Sequence, residues 1–367
     1  MGTKRIRTLI VDDSAVVRKV LTERLSQDPE IEVVGSAMDP YVARDKIREL
    51  NPDVLTLDIE MPRMDGLTFL RILMKHHPLP VIVISSLTKE GSSKSLEALQ
   101  AGAVDVLPKS GGSFSVCLDT AVLAEMIKAA AHARLHPNAL PSAAPAGRTM
   151  QASSSPGATA VARRYRPRQI ILMGASTGGT EALREILTRL PADVPGICIV
   201  QHIPPVFSLA FAERLNQLCQ FQVREAKHAD LVQPGLALVA PGGYHMVLKW
   251  DGTHHRVELN QGPMVHHQRP AVDMLFSSAA RAVSSAHALA VLCTGMGSDG
   301  AAGMKELRDA GAETVAQNEE TCVVFGMPRE AIRNGSAQYV LPLETIATHI
   351  NSYASRMAQV GLVPISR

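Results

Sequence analysis

Between His136 and Arg168 the chain reads HPNALPSAAPAGRTMQASSSPGATAVARRYRPR, built of Pro, Ala, Ser and Gly with no apolar period and no acidic residue. Such a stretch buries too little surface to offset the entropy of ordering it, and it reads as a flexible linker. A single continuous core is thereby excluded. The 367 residues divide into a unit at 1–128, a linker at 129–168 and a second unit at 169–367.

The linker also accounts for the net charge of +2. It holds six basic and no acidic residues, whereas residues 1–128 carry 16 Lys and Arg against 18 Asp and Glu, and residues 169–367 carry 15 against 17. Neither flanking unit is basic enough to bind nucleic acid by charge. No run of eighteen apolar residues occurs, and the N-terminus enters a strand pattern at once, so a cytoplasmic protein without membrane insertion is expected. Cys117, Cys198, Cys219, Cys293 and Cys322 lie far apart, as buried reduced thiols would, with neither a disulfide framework nor a zinc knuckle.

Before the linker, the apolar runs RTLIV, IEVVGSA, DVLTLD, PVIVIS and AVDVL alternate with amphipathic segments such as AVVRKVLTERL. Five βα repeats with short connections predict a doubly wound parallel sheet. After it, QIILMG, PGICIVQH, LALVAP, LAVLCTG and ETVAQ suit buried strands, and Leu183, Ile186, Leu187 and Leu190 form a helical stripe. GGYHMVLKWDGTHHRVEL reads as a hairpin turned at Asp251 and Gly252. The second unit is expected to be an α/β/α sandwich with a mostly parallel sheet and that hairpin inserted.

Ligands of open parallel sheets gather at the carboxyl ends of the strands. In the first unit those ends carry Asp12, Asp13, Asp58 and Lys109. Three carboxylates in one crevice repel one another unless a hard divalent cation sits among them, and Mg²⁺ is the natural candidate. Lys109 adds a point charge for a phosphoryl group, and Ser85, ending the fourth strand, offers it a hydroxyl. Taken in order, VDDS, LTLDIEMPRMDG, VIVISS and AGAVDVLPK closely resemble the receiver domain of two-component response regulators. That resemblance implies that Asp58 accepts a phosphoryl group from a histidine kinase. It further implies that Asp12, Asp13 and the Glu60 carbonyl help hold Mg²⁺ and that Lys109 contacts the acyl phosphate. Two positions depart from the pattern: Pro108 precedes Lys109 where the family has proline after it, and Val106 replaces the usual switch aromatic.

Gly174-Ala175-Ser176-Thr177-Gly178 fits G-x-S-x-G, in which a tight strand-to-helix turn presents a serine hydroxyl beside the N–H groups that open a helix. A dinucleotide site would need G-x-G-x-x-G and an acidic residue ending the next strand, where Gln201 and His202 stand instead. A serine nucleophile needs a base and an orienting carboxylate. His202, ending the next strand pattern, and Asp299, in another strand-to-helix turn, supply them. The pairs His254-His255 and His266-His267 would point to opposite faces of a strand, so no metal or other cofactor is expected in this unit.

GASTGGTEAL, QHIPP, APGGYHM, RPAVDMLFSSAA and LCTGMGSDGAAGM, in this order, resemble the chemotaxis protein-glutamate methylesterases of the CheB family. The resemblance implies hydrolysis of glutamyl γ-methyl esters on chemoreceptors, and deamidation of receptor glutamines. Ser176 would be the nucleophile, His202 the base and Asp299 the orienting acid, with the N–H groups of Thr177 and Met296 as oxyanion donors. The order Ser, His, Asp differs from the Ser, Asp, His of α/β-hydrolases and implies a separate fold. By the same resemblance, the unphosphorylated receiver covers the active site. The alternative is a receiver-containing docking protein whose triad is unused. A receiver-bearing transcription factor is disfavoured, because no helix-turn-helix follows the linker.

Overall fold

Each apolar run of the first unit becomes a strand buried between helices. The computed structural model describes residues 4–86, 88–109, 120–134, 169–282 and 287–360. The chain passes in turn through β1 (Ile6–Val11), α1 (Ala15–Leu25), β2 (Ile31–Ala37), α2 (Pro40–Leu50), β3 (Val54–Asp58) and α3 (Gly66–His76). It continues through β4 (Val81–Ser86), α4 (Lys89–Gln100), β5 (Asp105–Lys109) and α5 (Thr120–Ala131). Ser14, Asp39, Asp65 and Thr88 each stand in extended backbone and accept a hydrogen bond from an N–H of the following helix, which fixes where α1 to α4 begin. The sheet order is β2-β1-β3-β4-β5, parallel throughout. Connections leave β1 in opposite directions, opening a crevice between the carboxyl ends of β1 and β3.

The second unit runs through β6 (Ile170–Ala175), α6 (Gly179–Leu187), β7 (Gly196–Gln201), α7 (Pro205–Leu218), β8 (Gln222–Glu225) and β9 (Leu236–Val239). It proceeds to β10 (His245–Trp250), β11 (His255–Asn260), α8 (Val272–Ala282), β12 (Ala288–Leu292) and α9 (Ala301–Asp309). It ends with β13 (Glu313–Gln317), α10 (Met327–Arg333), β14 (Tyr339–Leu341) and α11 (Leu343–Val360). Seven strands in the order β14-β13-β12-β6-β7-β9-β8 form an entirely parallel sheet. β6, β7, β9 and β12 are buried along their whole length, as strands covered by helices on both faces must be. The predicted stripe of α6 is fully buried among them.

β10 and β11 pair antiparallel as the expected hairpin. Its turn is held by the Asp251 carboxylate, which accepts from the N–H groups of Thr253 and His254 at 2.8 Å each. The edge strands β8 and β14 were not foreseen, being short and partly exposed, with little apolar signal. His266 and His267 differ from expectation: both lie in a loop with φ of 51° and 59°, so the opposite-faces premise fails for that pair.

The units touch. α4 packs on α6 and α7, Leu96 joins a core cluster of the second unit, and Val323 joins one of the first. Arg134, just past α5, donates its N–H to the Val323 carbonyl (3.2 Å) and pairs with Glu319 (3.1 Å). α5 therefore extends beyond the expected domain end at 128, and the linker from residue 135, with Cys117, lies outside the described residues. No helix among the described residues is long and apolar enough to cross a membrane.

Candidate active site

β6 lies between β7 and β12 at the centre of the larger sheet. The residue just past β6 is Ser176, the one just past β7 is His202, and Asp299 stands in the turn from β12 to α9. Parallel register brings the three together: Ser176 N–H donates to the Thr294 carbonyl (3.0 Å), and His202 N–H donates to the Ala175 carbonyl (3.1 Å). His202 Nδ1 is 3.1 Å from Ser176 Oγ, and Nε2 is 2.7 Å from Asp299 Oδ2. For a carboxylate to accept from Nε2, that nitrogen must carry the proton. Nδ1 is then left with a lone pair facing the serine hydroxyl. The two ring nitrogens exchange the roles they have in the chymotrypsin arrangement.

Asp299 is held from both sides. Oδ2 also accepts from Val272 N–H (2.6 Å) and Oδ1 from Asp273 N–H (2.9 Å), the N–H groups that open α8. Burial favours the neutral acid, but the His202 hydrogen bond and charge, with those two N–H groups, outweigh it and hold the carboxyl below its ordinary range. Asp273 in turn accepts from Gly303 N–H at 2.7 Å and pairs with His266 at 2.9 Å. His266, Asp273 and Asp299 lie close enough to share a cation, yet every one already has hydrogen-bond partners within the protein.

Thr177 follows the serine directly, and the loop carrying Met296 packs on it. Among the described residues, neither the Thr177 nor the Met296 N–H has an acceptor. Both remain available to an incoming oxyanion. α6 and α9 start from Gly178 and Gly300 at φ of 75° and 87°, with no side-chain cap to occupy the helix N-termini.

Sequence reasoning gave no role in the site to Gln201, Thr294 or Asp273. Gln201 Nε2 donates to the carbonyls of Ser176 (2.8 Å) and His202 (3.0 Å), tying nucleophile to base. The Thr294 hydroxyl bonds the Thr177 carbonyl at 3.0 Å. Each lies inside a quoted motif, QHIPP, LCTGMGSDGAAGM or RPAVDMLFSSAA, but its role depends on partners elsewhere in the chain. Gly295 is also constrained: an added Cβ would sit 2.7 Å from Ser176 Cβ and 2.4 Å from Met327 Sδ. Gly295→Ala is therefore expected to displace Ser176 and lower kcat about 100-fold in a chain that still folds. A kcat within twofold of wild type would show that the turn absorbs the methyl group.

In the first unit, the side chains of Asp12, Asp13 and Asp58 place a carboxylate oxygen each within 4.8 Å of one another. Lys109 Nζ donates to Asp58 Oδ2 (2.7 Å) and Asp12 Oδ2 (3.2 Å). Burial pushes the Asp58 carboxyl up to about 6 against the pull of Lys109, with Asp12 adding to the rise. Among the described residues the Glu60 carbonyl accepts no hydrogen bond, which leaves it open to a cation. Ser85 stands apart from this group: its buried hydroxyl donates to the Gly91 carbonyl at 3.2 Å.

Fold and sites together define a class, a receiver-like domain with an acidic pocket joined to a hydrolase-like domain in which a serine, a histidine and an aspartate lie in hydrogen-bonding reach. Residues 8–114 match the response regulator receiver domain family, and residues 171–350 match the CheB methylesterase family. A protein of Syntrophus aciditrophicus (strain SB), named protein-glutamate methylesterase/protein-glutamine glutaminase 2, is 53% identical over 348 residues, covering 94% of this chain and 98% of its own. A protein of the same name from Rhizobium johnstonii is 49% identical, over 95% of this chain and 98% of its own. The crystal structure of the Thermotoga maritima CheB methylesterase catalytic domain is 38% identical over 50% of this chain and 97% of that one, with a TM-score of 0.49. This chain belongs to the CheB family of response-regulator methylesterases.

Proposed function

We propose that this protein hydrolyses γ-methyl esters of glutamate on chemoreceptors, and deamidates receptor glutamines, through Ser176, His202 and Asp299 under control of phosphorylation at Asp58. One observation carries the reading: the hydrogen-bonded chain from Ser176 Oγ through His202 to Asp299 Oδ2, at 3.1 and 2.7 Å. His202 Nδ1 takes the hydroxyl proton as Ser176 Oγ attacks the ester carbonyl, and Asp299 stabilises the imidazolium. The N–H groups of Thr177 and Met296 receive the oxyanion. His202 then returns the proton to the leaving methoxide, releasing methanol. Water, deprotonated by the same nitrogen, cleaves the acyl-serine, giving glutamate and restoring the hydroxyl. With a glutamine the leaving group is ammonia and the proton path is unchanged.

In the receiver, the all-oxygen set of Asp12, Asp13, Asp58 and the Glu60 carbonyl fits Mg²⁺. When bound, the ion neutralises charge on a phosphoryl group in transfer. Lys109 holds the Asp58 oxygen and would hold the acyl phosphate. A chemotaxis histidine kinase is the phosphodonor this reading requires. Ser85 reaches a phosphoryl group only after giving up its bond to Gly91. The phosphorylated form must favour an arrangement of the units different from the present one, because equal stabilisation of both would shift nothing.

Methanol release from methylated receptor membranes, with and without acetyl phosphate, tests the whole. Asp58→Asn is expected to keep the basal rate and lose the stimulation. Equal stimulation of mutant and wild type would remove Asp58 from the control of the enzyme.

A further inference from the structure

β5 begins with an acid and ends with a base, and each touches a different site. Lys109, at its end, holds Asp58. Asp105, at its start, accepts a hydrogen bond from the Thr177 hydroxyl of the other unit (2.6 Å) and one from the Val106 N–H (2.8 Å). At about 3.3 Å per residue, one strand of some 13 Å links the phosphoacceptor to the residue next to the nucleophile. Burial pushes the Asp105 carboxyl up, opposed first by the Thr177 and Val106 bonds and then by the charge of His202, which places Asp105 in the field of the catalytic base.

Beneath it remains a cavity of about 40 Å³, lined by Asp105, Val106, Ser176, Thr180, His202 and Phe207 among others. That volume suits about one water and excludes a glutamyl ester side chain. Thr180 is among its lining residues, 7% exposed, and its buried hydroxyl has no partner among the described residues. A buried hydroxyl without a partner costs free energy unless a ligand or water completes it. The Thr177 hydroxyl, on the residue next to Ser176, is thus taken by a carboxylate of the receiver. An aspartate side chain is a glutamate side chain less one methylene. The group parked on Thr177 is chemically the product of the reaction.

Resting on the esterase reading above, we infer that Asp105 is a tethered analogue of the glutamate product, and that the Thr177 hydroxyl it occupies is the positioning group for the carboxyl of the receptor side chain. Occlusion is then more than coverage. The receiver competes for a specific hydrogen bond, and its own strand β5 carries the competing group away when Lys109 follows a phosphorylated Asp58.

The test uses the full chain, methylated receptor membranes and a receptor-derived peptide with free glutamate at the modified position. Asp105→Ala without phosphodonor is expected to release methanol about tenfold faster than unphosphorylated wild type, the weight of one charge-assisted hydrogen bond. Labelling of its Asp58 by acetyl phosphate certifies that the receiver is folded. In this background the glutamate peptide is expected to inhibit competitively. Adding Thr177→Val should raise its inhibition constant and the KM about tenfold with a smaller change in kcat, and Thr177→Ser should restore both. A basal rate for Asp105→Ala no higher than wild type, or peptide inhibition indifferent to Thr177→Val, would overturn the inference. Absence of methanol release from phosphorylated wild type would instead remove the esterase reading beneath it.

Discussion

Ser176→Ala is expected to abolish methanol release, lowering kcat by on the order of a million-fold, or about 8 kcal/mol of transition-state stabilisation. No cysteine can replace it. The cysteines of the second unit are Cys198, Cys219, Cys293 and Cys322, and burial pushes the thiol of Cys293, in the strand-end loop nearest the site, up to about 12. Such a thiol supplies almost no thiolate near neutral pH. Within the protein, the Ser176 side chain makes one hydrogen bond among the described residues, to His202, so its loss removes the nucleophile without disturbing the turn, which is held by backbone bonds to Thr294 and Gly179. Thermal unfolding and receptor binding are expected to stay as in wild type. A docking protein would keep its cellular phenotype on this substitution, whereas an esterase loses it. Methanol release within tenfold of wild type would exclude Ser176 as nucleophile.

What could be read from the chain follows the range of each interaction. Strands buried on both faces announce themselves as apolar runs, and Ser176, His202 and Asp299 were legible because each lies in the turn that follows such a run, at the edge where parallel sheets collect ligands. Asp105 was not. It sits inside a predicted strand, and its role arises from Thr177, reached only when the units dock. The exchange of ring nitrogens in His202 was likewise invisible, because it depends on how the β7 end faces the β12 turn. Asp273 carried no signal of its own in the sequence, because its N–H and carboxylate join Asp299, Gly303 and His266 only in the folded chain. Val106 stands where a switch aromatic was missed, and in the structure it lines the covered cavity beside Asp105. The sequence departure thus falls at the contact that the two units share.

Asp299→Asn should lower kcat about 10⁴-fold while leaving KM nearly unchanged. The carboxylate now accepts from three N–H donors: Val272 and His202 on one oxygen, Asp273 on the other. An amide has one oxygen and one NH₂. Turned with NH₂ toward His202, it forces the imidazole proton onto Nδ1, which then faces Ser176 as a donor and cannot take its proton. Turned the other way, NH₂ opposes the Asp273 N–H and leaves a buried donor unsatisfied, a cost of about 1–3 kcal/mol. Either outcome damages the site, and the first removes the base. Because the Asp299 carboxyl is held below its ordinary range in the folded chain, it stabilises the fold above the unfolded carboxyl value and ceases to as the pH falls through the folded one. Urea unfolding should accordingly find wild type more stable than Asp299→Asn at neutral pH, with the gap closing in acid. Combining Ser176→Ala with Asp299→Asn should cost no further activity, since the carboxylate acts only through the serine's base. If Asp299→Asn alone kept kcat within tenfold of wild type, the imidazole would be oriented by some other group and the triad would reduce to Ser176 and His202.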